Sequence, residues 1–497
     1  MAGRTSQRTA LIVAGLWAFL SPPAARAQDE RPGPLPAARG ASPVVAPLAS
    51  RVVAVSWRTE KPALACVDYS DKAFESERKL GQLFPLKSMS PDHYTKVLCR
   101  NHDLCLAELT PGTLYHLRVW NKDENGAETV SPAVQFRTLG KPADVFRFSA
   151  EHFGLQLSEP WSDLDPATRT RALEAPYIRV IRVLAAWDEL QPEGPENTNW
   201  SVVEEPLADL EKGVAERDKF IRLALTGARH IEKNEQEPWF LEGVECIKRP
   251  RKPNSNKETA PAEKENIIRW DPQYLCRWLT LIKETGSRLD SASSPDPHPL
   301  IALVSVASVS NTGEMDMTRP LLDAYRACGY TDAQIAENMK WAYRAMLGVF
   351  AEAFPHKALA MNMGTLNVSD GKDDASLAIL DEAAAAYGKR LQLGVTGFGG
   401  PRAELLKRYG GLAVAAGMTE RPANDCPDPA ADLKALFDGQ IWPHASGLGA
   451  VAMHADALGI SSARFGDSSE LKEFLAGVEE RFVEIRRSAA EPDENRP

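Results

Sequence analysis

Apolar and polar residues alternate in short runs between Ala49 and Thr138, a period of two that is typical of half-buried β-strands. Turn residues separate the runs and include the hairpin signal Asn125-Gly126. Short strands at such regular spacing predict a small β-sandwich over residues 49–140. The predicted strands are Val52–Trp57, Ala63–Tyr69, Leu104–Leu109, Leu114–Trp120 and Ser131–Thr138.

Beyond the linker Gly140-Lys141-Pro142 the pattern changes to apolar runs that alternate with segments of helical periodicity. This order predicts a parallel sheet wrapped by helices, and the eight candidate strands over residues 143–488 fit a (β/α)8 TIM barrel. A doubly wound sheet is the alternative architecture. Residues 489–497 form a polar tail. The predicted strands are Val145–Phe153, Tyr177–Trp187, Phe220–Gly227, Leu300–Ser310, Ala358–Leu366, Leu391–Phe398, Gly411–Thr419 and Gly459–Phe465.

The first 27 residues have the three parts of a secretory signal peptide: the cations Arg4 and Arg8, an apolar core from Ala10 to Leu20, and an A-x-A site that ends at Ala27. We therefore expect cleavage after Ala27 and a secreted or periplasmic protein. The apolar core is too short to span a membrane, and we find no other run that is long enough. Residues 28–48 are rich in Pro and Ala, which predicts a disordered linker.

The net charge of −10 and the pI of about 5.6 argue against nucleic acid as the main partner, because no basic surplus is present to neutralise phosphates. Among the seven cysteines, Cys99 and Cys105 flank a predicted turn, and in an oxidising compartment they could close a small loop. Cys-x-x-Cys and His-Glu-x-x-His spacings do not occur. We therefore expect no structural zinc and no cofactor.

The stretch from His298 to Met315 contains the strongest candidate chemistry. Its apolar, β-branched run predicts a strand buried on both faces that stops at Asn311-Thr312-Gly313, and Glu314 follows. Active sites of α/β barrels lie at the C-terminal ends of the strands, which makes Glu314 a candidate catalytic residue. The alternative is a solvated loop residue or a cap for the next segment.

The N-terminal domain resembles fibronectin type III domains in two places. The stretch from Leu109 to Tyr115, followed by Leu117 and Val119, is similar to the late strands of that fold, and Trp57 is similar to its early-strand tryptophan. The resemblance implies a spacer or a surface for a partner at the cell surface, and it assigns no catalytic residues.

The barrel domain resembles clan A glycoside hydrolases, and within them the β-galactosidase-like branch. The run from Ala175 to Trp200, then Phe220–Leu225, is similar to their second and third barrel strands. Those enzymes have an arginine in the strand, here Arg179 or Arg182, and a tryptophan at its end, here Trp187. The resemblance implies that Trp187 offers an aromatic face to a sugar ring; the alternative is core packing.

The approach to the fourth strand, from Trp270 through His298 to Glu314, is also similar to that clan. The resemblance implies that Glu314 is the general acid/base. Clan members commonly have Asn directly before this glutamate, whereas this chain has Gly313. The second carboxylate, the nucleophile, follows strand seven in the clan, which by our strand count is Glu420; Asp467 is a weaker substitute.

Further polar and aromatic residues near predicted strand ends are candidates for contacts with sugar hydroxyls and rings. They are Glu151, His152, His230, Asn311, Asn362 and Trp442.

Taken together, the resemblance implies a secreted glycoside hydrolase that cleaves a poly- or oligosaccharide by a two-carboxylate mechanism. The alternative is an inactive barrel that binds carbohydrate or protein, which the Gly313 departure favours. A third hypothesis is a structural surface protein whose barrel is only a scaffold.

Overall fold

The computed structural model places most of the two predicted domains. The predicted signal peptide, most of the predicted linker and residues 491–497 lie outside the described residues. Among the residues described, no helix is long and apolar enough to cross a membrane. The described residues are 42–74, 95–215, 217–227, 238–250, 263–290, 298–307, 319–363, 375–396, 408–409, 413–417, 428–442, 448–453, 458 and 468–490.

Antiparallel strands form the N-terminal domain, as the alternating pattern predicts. They are β1 (Val44–Ala49), β2 (Val52–Ser70), β3 (Cys99–Leu106), β4 (Leu114–Asp123), β5 (Glu128–Val130) and β6 (Val134–Arg137). β1 pairs with β2, so the C-terminal end of the predicted disordered linker is in fact a strand.

The long strand β2 pairs with three other strands of the N-terminal domain, for which we keep the name sandwich. Its first half pairs with β1 and β3, and its second half pairs with β4. The ladder to β3 is interrupted between Arg58 and Ala63, where Pro62 has no N–H to donate. The two strands predicted in this region are therefore one continuous strand. The buried core of this domain includes Val55, Trp57 and Leu117.

Eight parallel strands close into a barrel. They are β7 (Gly154–Pro160), β8 (Ile178–Ala186), β9 (Phe220–Thr226), β12 (Ile301–Ser305), β13 (Ala358–Met363), β14 (Leu391–Thr396), β15 (Ala413–Gly417) and β16 (Leu448–Met453). A hairpin of β10 (Cys246–Pro250) and β11 (Glu263–Ile267) stands outside the ring. β9 pairs with β8 and β12, and β7 pairs with β8 and β16, so the ring is closed. Closure excludes the doubly wound alternative, whose sheet is open.

Helices cover the barrel, and their ends have recognisable caps. The Asp271 carboxylate accepts from the backbone N–H groups of Gln273 and Tyr274, and Pro272 occupies the first helical position. Thr331 and Gln334 form a capping box at the start of the long helix α6. The helices are α1 (Pro166–Glu174), α2 (Trp187–Leu190), α3 (Ser201–Ala215), α4 (Pro272–Leu289), α5 (Arg319–Ala327), α6 (Asp332–Ala353), α7 (Ala375–Tyr387), α8 (Pro429–Leu436) and α9 (Ser469–Ala490).

The first and the last barrel strands differ from the prediction. The first strand is Gly154–Pro160 and not Val145–Phe153. Phe146, which belongs to the predicted segment, instead packs against a cluster inside the barrel that includes Val180 and Leu303. The last strand is Leu448–Met453, whereas the predicted Gly459–Phe465 lies outside the described residues. Small residues obscured the last strand, because Ala and Gly give little hydrophobic contrast.

The sandwich and the barrel share one hydrophobic core. Leu48, Val52 and Cys105 of the sandwich belong to the same buried cluster as the barrel helices. Polar contacts add to it: the Ser50 backbone N–H and hydroxyl both donate to the Glu352 carboxylate, at 2.7 and 2.5 Å. The two domains are therefore packed together, and the sandwich is not a detached spacer.

The cysteines of the sandwich do not pair as expected. Cys99 and Cys105 are not bonded to each other, and both lie on β3. Six residues of extended strand separate their Cα atoms by roughly 20 Å, whereas a disulfide tolerates about 7 Å. The predicted small loop is therefore wrong.

Candidate functional site

The C-terminal ends of the strands form the face on which α/β barrels place their chemistry. The fourth strand ends at Ser305 and the seventh at Gly417, so Glu314 and Glu420 follow the two strands that we expect to carry them. Both glutamates, His230 and Asn311 lie outside the described residues. Their roles therefore stay predictions.

Glu151 and His152 lie at the opposite, N-terminal end of the barrel, because the first strand begins only at Gly154. The His152 ring is buried 6.4 Å from the ring of Phe220, the first residue of β9. Burial lowers the pKa of His152 to about 4, and Arg179 acts in the same direction. The prediction that Glu151 and His152 end strand one is wrong, and their position speaks against contact with a substrate on the C-terminal face.

Trp442 lies in the helical layer rather than at a strand end. Its ring is 5.1 Å from Phe437 and 6.0 Å from Phe482 on α9, and the Arg481 guanidinium lies 5.0 Å from it. Trp442 precedes the last strand, which begins at Leu448. This places the residue on the N-terminal side of that strand, so the expected contact with a sugar is not supported.

Asn362 lies on β13, where its backbone is aligned with Gly394 of β14. It is the penultimate residue of its strand and therefore close to the C-terminal face. Its side chain lies outside the described part of the structure, so its predicted role is untested.

Trp187 is a core residue. It was predicted as the last residue of the second strand and directly follows β8 in the structure, where it is 0% exposed. Its ring stacks on Phe240 at 4.1 Å, and Tyr274 and Trp278 each lie 5.3 Å away. The indole N–H donates to the Gln191 side chain at 2.9 Å. Of the two alternatives for Trp187, the structure supports core packing.

Trp239 is an aromatic residue that is not among the predicted site residues. It lies in the connection that follows β9, and its half-buried ring makes edge contact with Trp187 at 6.0 Å. Its indole N–H donates to the backbone carbonyl of Gln191 at 2.8 Å. The contact with Trp187, at the end of β8, puts Trp239 on the C-terminal side of the barrel. Trp239 differs from Trp187 in being half-exposed, and because exposure depends on tertiary packing, the sequence does not reveal this difference.

Buried polar side chains occupy the barrel lumen. The Arg222 guanidinium donates to the Ser305 hydroxyl at 2.8 Å and to the Gln156 side-chain carbonyl at 3.4 Å. These partners belong to the fourth and first strands, while Arg222 is on the third. Arg222 therefore reaches across the interior. Burial lowers its pKa to about 9, and Arg182 adds to that shift.

The two arginines named by the resemblance separate in space. Arg182 donates to the backbone carbonyl of Ser158 at 3.1 Å, and its charge acts on Arg222. Arg179 instead donates to the Glu151 backbone carbonyl at the N-terminal end. Only Arg182 is therefore near the lumen. The lumen thus contains the guanidinium group of Arg222, with that of Arg182 nearby.

Within the described ranges, no group of three or more His, Cys, Asp or Glu side chains is arranged to hold a metal ion. The polar groups described in the lumen include the cations Arg182 and Arg222, the Ser305 hydroxyl and the Gln156 side-chain amide. Such groups suit an anionic or hydroxyl-bearing ligand better than a metal ion.

No protein-family model matches the chain, and no curated protein matches it either. The catalytic domain of β-amylase from Paenibacillus polymyxa has 11% identity over 67% of this chain and 100% of its own, with a TM-score of 0.41. A Bacteroides ovatus GH5 xyloglucanase has 10% identity over 88% and 100%, with a TM-score of 0.38. A fibronectin type III domain from the human KIAA0970 protein has 19% identity over 21% and 74%, with a TM-score of 0.15. At these identities and TM-scores, the comparisons assign no activity to this chain.

Proposed function

We propose that the protein is a glycoside hydrolase that cleaves a poly- or oligosaccharide with two carboxyl groups. Glu314 is the general acid/base and Glu420 is the nucleophile. The observation that supports this proposal most is the closed barrel, in which the fourth and seventh strands end on one face and each leads into one of the two glutamates.

The chemistry needs the two carboxyl groups in different states. The protonated one donates to the leaving oxygen, while the ionised one attacks the anomeric carbon. The guanidinium groups of half-buried Arg182 and buried Arg222 support the ionised state of the second group, because positive charge in the lumen favours the ionised form of a carboxyl group at the mouth. Hydrolysis by this route requires no cofactor.

The test is the release of reducing sugar from a panel of soluble α- and β-linked glucans, xyloglucan and galactomannan. We expect the wild type to cleave at least one glycan and Glu314→Gln to be slower by about 10²- to 10⁴-fold. Glu337→Gln is the matched control, because Glu337 is an exposed residue on α6 that pairs with Lys340. Full activity of Glu314→Gln would overturn the proposal.

We also propose that the protein is exported, on the basis of the signal-peptide pattern in residues 1–27. The mature chain is then expected to begin at Gln28. Mass spectrometry of the protein from the cell exterior or periplasm checks this start. An intact Met1 on the folded protein would contradict it.

A second candidate function is carbohydrate or protein binding without turnover. Two observations favour it: Gly313 stands where the clan commonly has Asn, and Trp187 is withdrawn into the core. Binding on a glycan array, together with absent turnover of the bound glycan, is the result that would select this alternative.

A further inference from the structure

A turn on the C-terminal side of the barrel joins the two domains. We call residues Trp239–Leu241, together with the adjoining Glu242 and Gly243, the aromatic turn. It lies in the connection between β9 and α4. Phe240 and Leu241 are buried, whereas Trp239 is half-buried. The turn therefore has an anchored side and a side that is open to solvent.

Arg277 on α4 holds the backbone of this turn. One guanidinium nitrogen, Nη1, donates to the backbone carbonyls of Phe240 at 3.1 Å and Glu242 at 2.8 Å. The Gln273 side-chain amide also donates to the Glu242 carbonyl. Arg277 is only 6% exposed, so its donors have little access to water. The position of the guanidinium thus fixes the path of the turn.

The sandwich in turn holds Arg277. Asp103 on β3 accepts from the Nε of Arg277 at 2.9 Å, and this carboxylate is the counter-ion of a buried charge. Without it the buried guanidinium loses its hydrogen-bonded counter-ion and keeps only the charge of Glu242 nearby. Nearby, the Asn101 side-chain amide donates to both carboxylate oxygens of Glu242, at 3.2 and 3.1 Å. The sandwich therefore contacts the turn directly and also through Arg277.

Gly243 allows the two domains to come this close. Its φ of +72° is in the left-handed region, and a Cβ at this position would lie 2.7 Å from the Cys99 sulfur on β3. The end of the turn is consequently packed against the sandwich strand. This contact makes the aromatic turn part of the domain interface as well as part of the barrel mouth.

We propose that the aromatic turn is a carbohydrate-contacting element of the barrel mouth and that the sandwich sets its position. Trp239 presents its ring to a sugar, and Asp103, acting through Arg277, is a positioning residue. This inference rests on the proposed function, because it takes carbohydrate as the ligand. It gives the sandwich a role in the site rather than the role of a spacer.

The first test changes the ring. With the glycan that the wild type cleaves fastest, Trp239→Ala is expected to raise KM about tenfold with little change in kcat, because a ring contact is lost. Trp239→Phe keeps an aromatic face and is expected to stay within about threefold of the wild-type KM. An unchanged KM in Trp239→Ala would overturn the carbohydrate contact.

The second test changes the link between the domains. Asp103→Asn is expected to speed amide hydrogen exchange in residues 238–245 and to raise KM about fivefold with kcat unchanged. The matched control is Glu108→Gln, which removes another interdomain ion pair, with Arg344 on α6 at 2.7 Å. The control is expected to leave both readouts at wild-type values. Wild-type exchange and KM in Asp103→Asn would overturn the positioning role.

Folding defects and the failure of the proposed hydrolysis can both be separated from these results. If Asp103→Asn does not fold, Asn101→Ala is used instead, because it removes the direct contact to Glu242. The same faster hydrogen exchange and higher KM are expected of it. If the wild type binds a glycan from the panel without cleaving it, hydrolysis is overturned, and the dissociation constant replaces KM in both tests. Turnover with an unchanged KM in Trp239→Ala overturns the contact and leaves hydrolysis standing.

Discussion

His102 is enclosed in the sandwich core, although its side chain can carry a charge. Its ring stacks on Trp57 with 5.0 Å between the centroids, and its Nδ1 lies 3.4 Å from the Cys99 sulfur. Burial lowers the pKa of His102 to about 3, against a smaller opposing effect of Asp103. The folded protein therefore keeps this imidazole neutral well below the pH at which a free histidine is protonated.

This lowered pKa predicts that the protein loses stability in acid. The unfolded histidine binds a proton near pH 6.5 and the folded one only near pH 3, so the stabilisation present above pH 6.5 is lost as the pH falls. Between pH 7.5 and pH 5 this residue is expected to cost about 2 kcal/mol of unfolding free energy. Urea unfolding of the wild type and of His102→Gln at both pH values measures it. An equal loss in the two proteins would contradict the assignment.

Residue positions were more predictable from the sequence than residue environments. The sequence predicts Trp187 as the last residue of the second barrel strand, and in the structure it lies one residue beyond that strand. Its burial depends on Phe240, Tyr274 and Trp278, which are distant in the chain and reach it only through the fold. Trp239, an equally aromatic residue in the same cluster, stays half-exposed for the same reason.

At the scale of elements, helices α4 and α6 approach each other unusually closely. A Cβ added at Gly286 on α4 would collide with the backbone carbonyl of Ala353 at the end of α6. Backbone atoms cannot rotate out of the way as a side chain can. The glycine is therefore required by the contact between helices and not by its own backbone conformation.

We predict that Gly286→Ala destabilises the protein by about 2 kcal/mol, because overpacking forces the helices apart. Gly348→Ala on α6 is the matched control, since nothing lies within 4 Å of a Cβ added there. The control is expected to gain about 0.5–1 kcal/mol, the usual difference in helix propensity between the two residues. Chemical denaturation of the three proteins gives the comparison. A neutral Gly286→Ala would show that the helices are less tightly packed than described.

Strands that are rich in large apolar residues were predictable from the sequence, and a strand that contains mostly small residues was not. The second and third barrel strands match their predictions within a residue or so at each end, because β-branched and leucine-rich runs mark them. The last strand, Leu448–Met453, contains two alanines and a glycine and was missed. Phe146 and Phe148 form part of an apolar stretch that resembles a strand, but these side chains pack beneath the barrel.

At the scale of the whole molecule, an antiparallel N-terminal sheet precedes the closed barrel, and the sequence pattern did not indicate how the two pack together. The sandwich is bound through a shared core and through ion pairs such as Asp103–Arg277. Such an interface cannot be recognised from local periodicity. Helix α4 buries polar residues such as Gln273 and Arg277 as well as apolar ones, and only the fold shows which partners cover them.

We predict that the barrel does not fold without the sandwich. Removing residues 28–140 uncovers apolar residues of α4 and α6 that are buried in the intact chain. The truncated chain is expected to be insoluble or to melt without cooperativity, while a control that lacks only residues 491–497 melts like the wild type. A soluble barrel with a sharp thermal transition would contradict the shared core.

The proposed mechanism depends on two acids from distant parts of the chain meeting at the mouth of the barrel. The most direct measurement is the separation of the Glu314 and Glu420 carboxyl groups in an experimental structure. We predict about 5–5.5 Å, the separation at which Glu420 can attack the anomeric carbon as in a retaining enzyme, whereas roughly 6.5–9.5 Å would make Glu420 the general base of an inverting enzyme. A separation well beyond about 10 Å, with no other acid facing Glu314, would contradict hydrolysis by these residues.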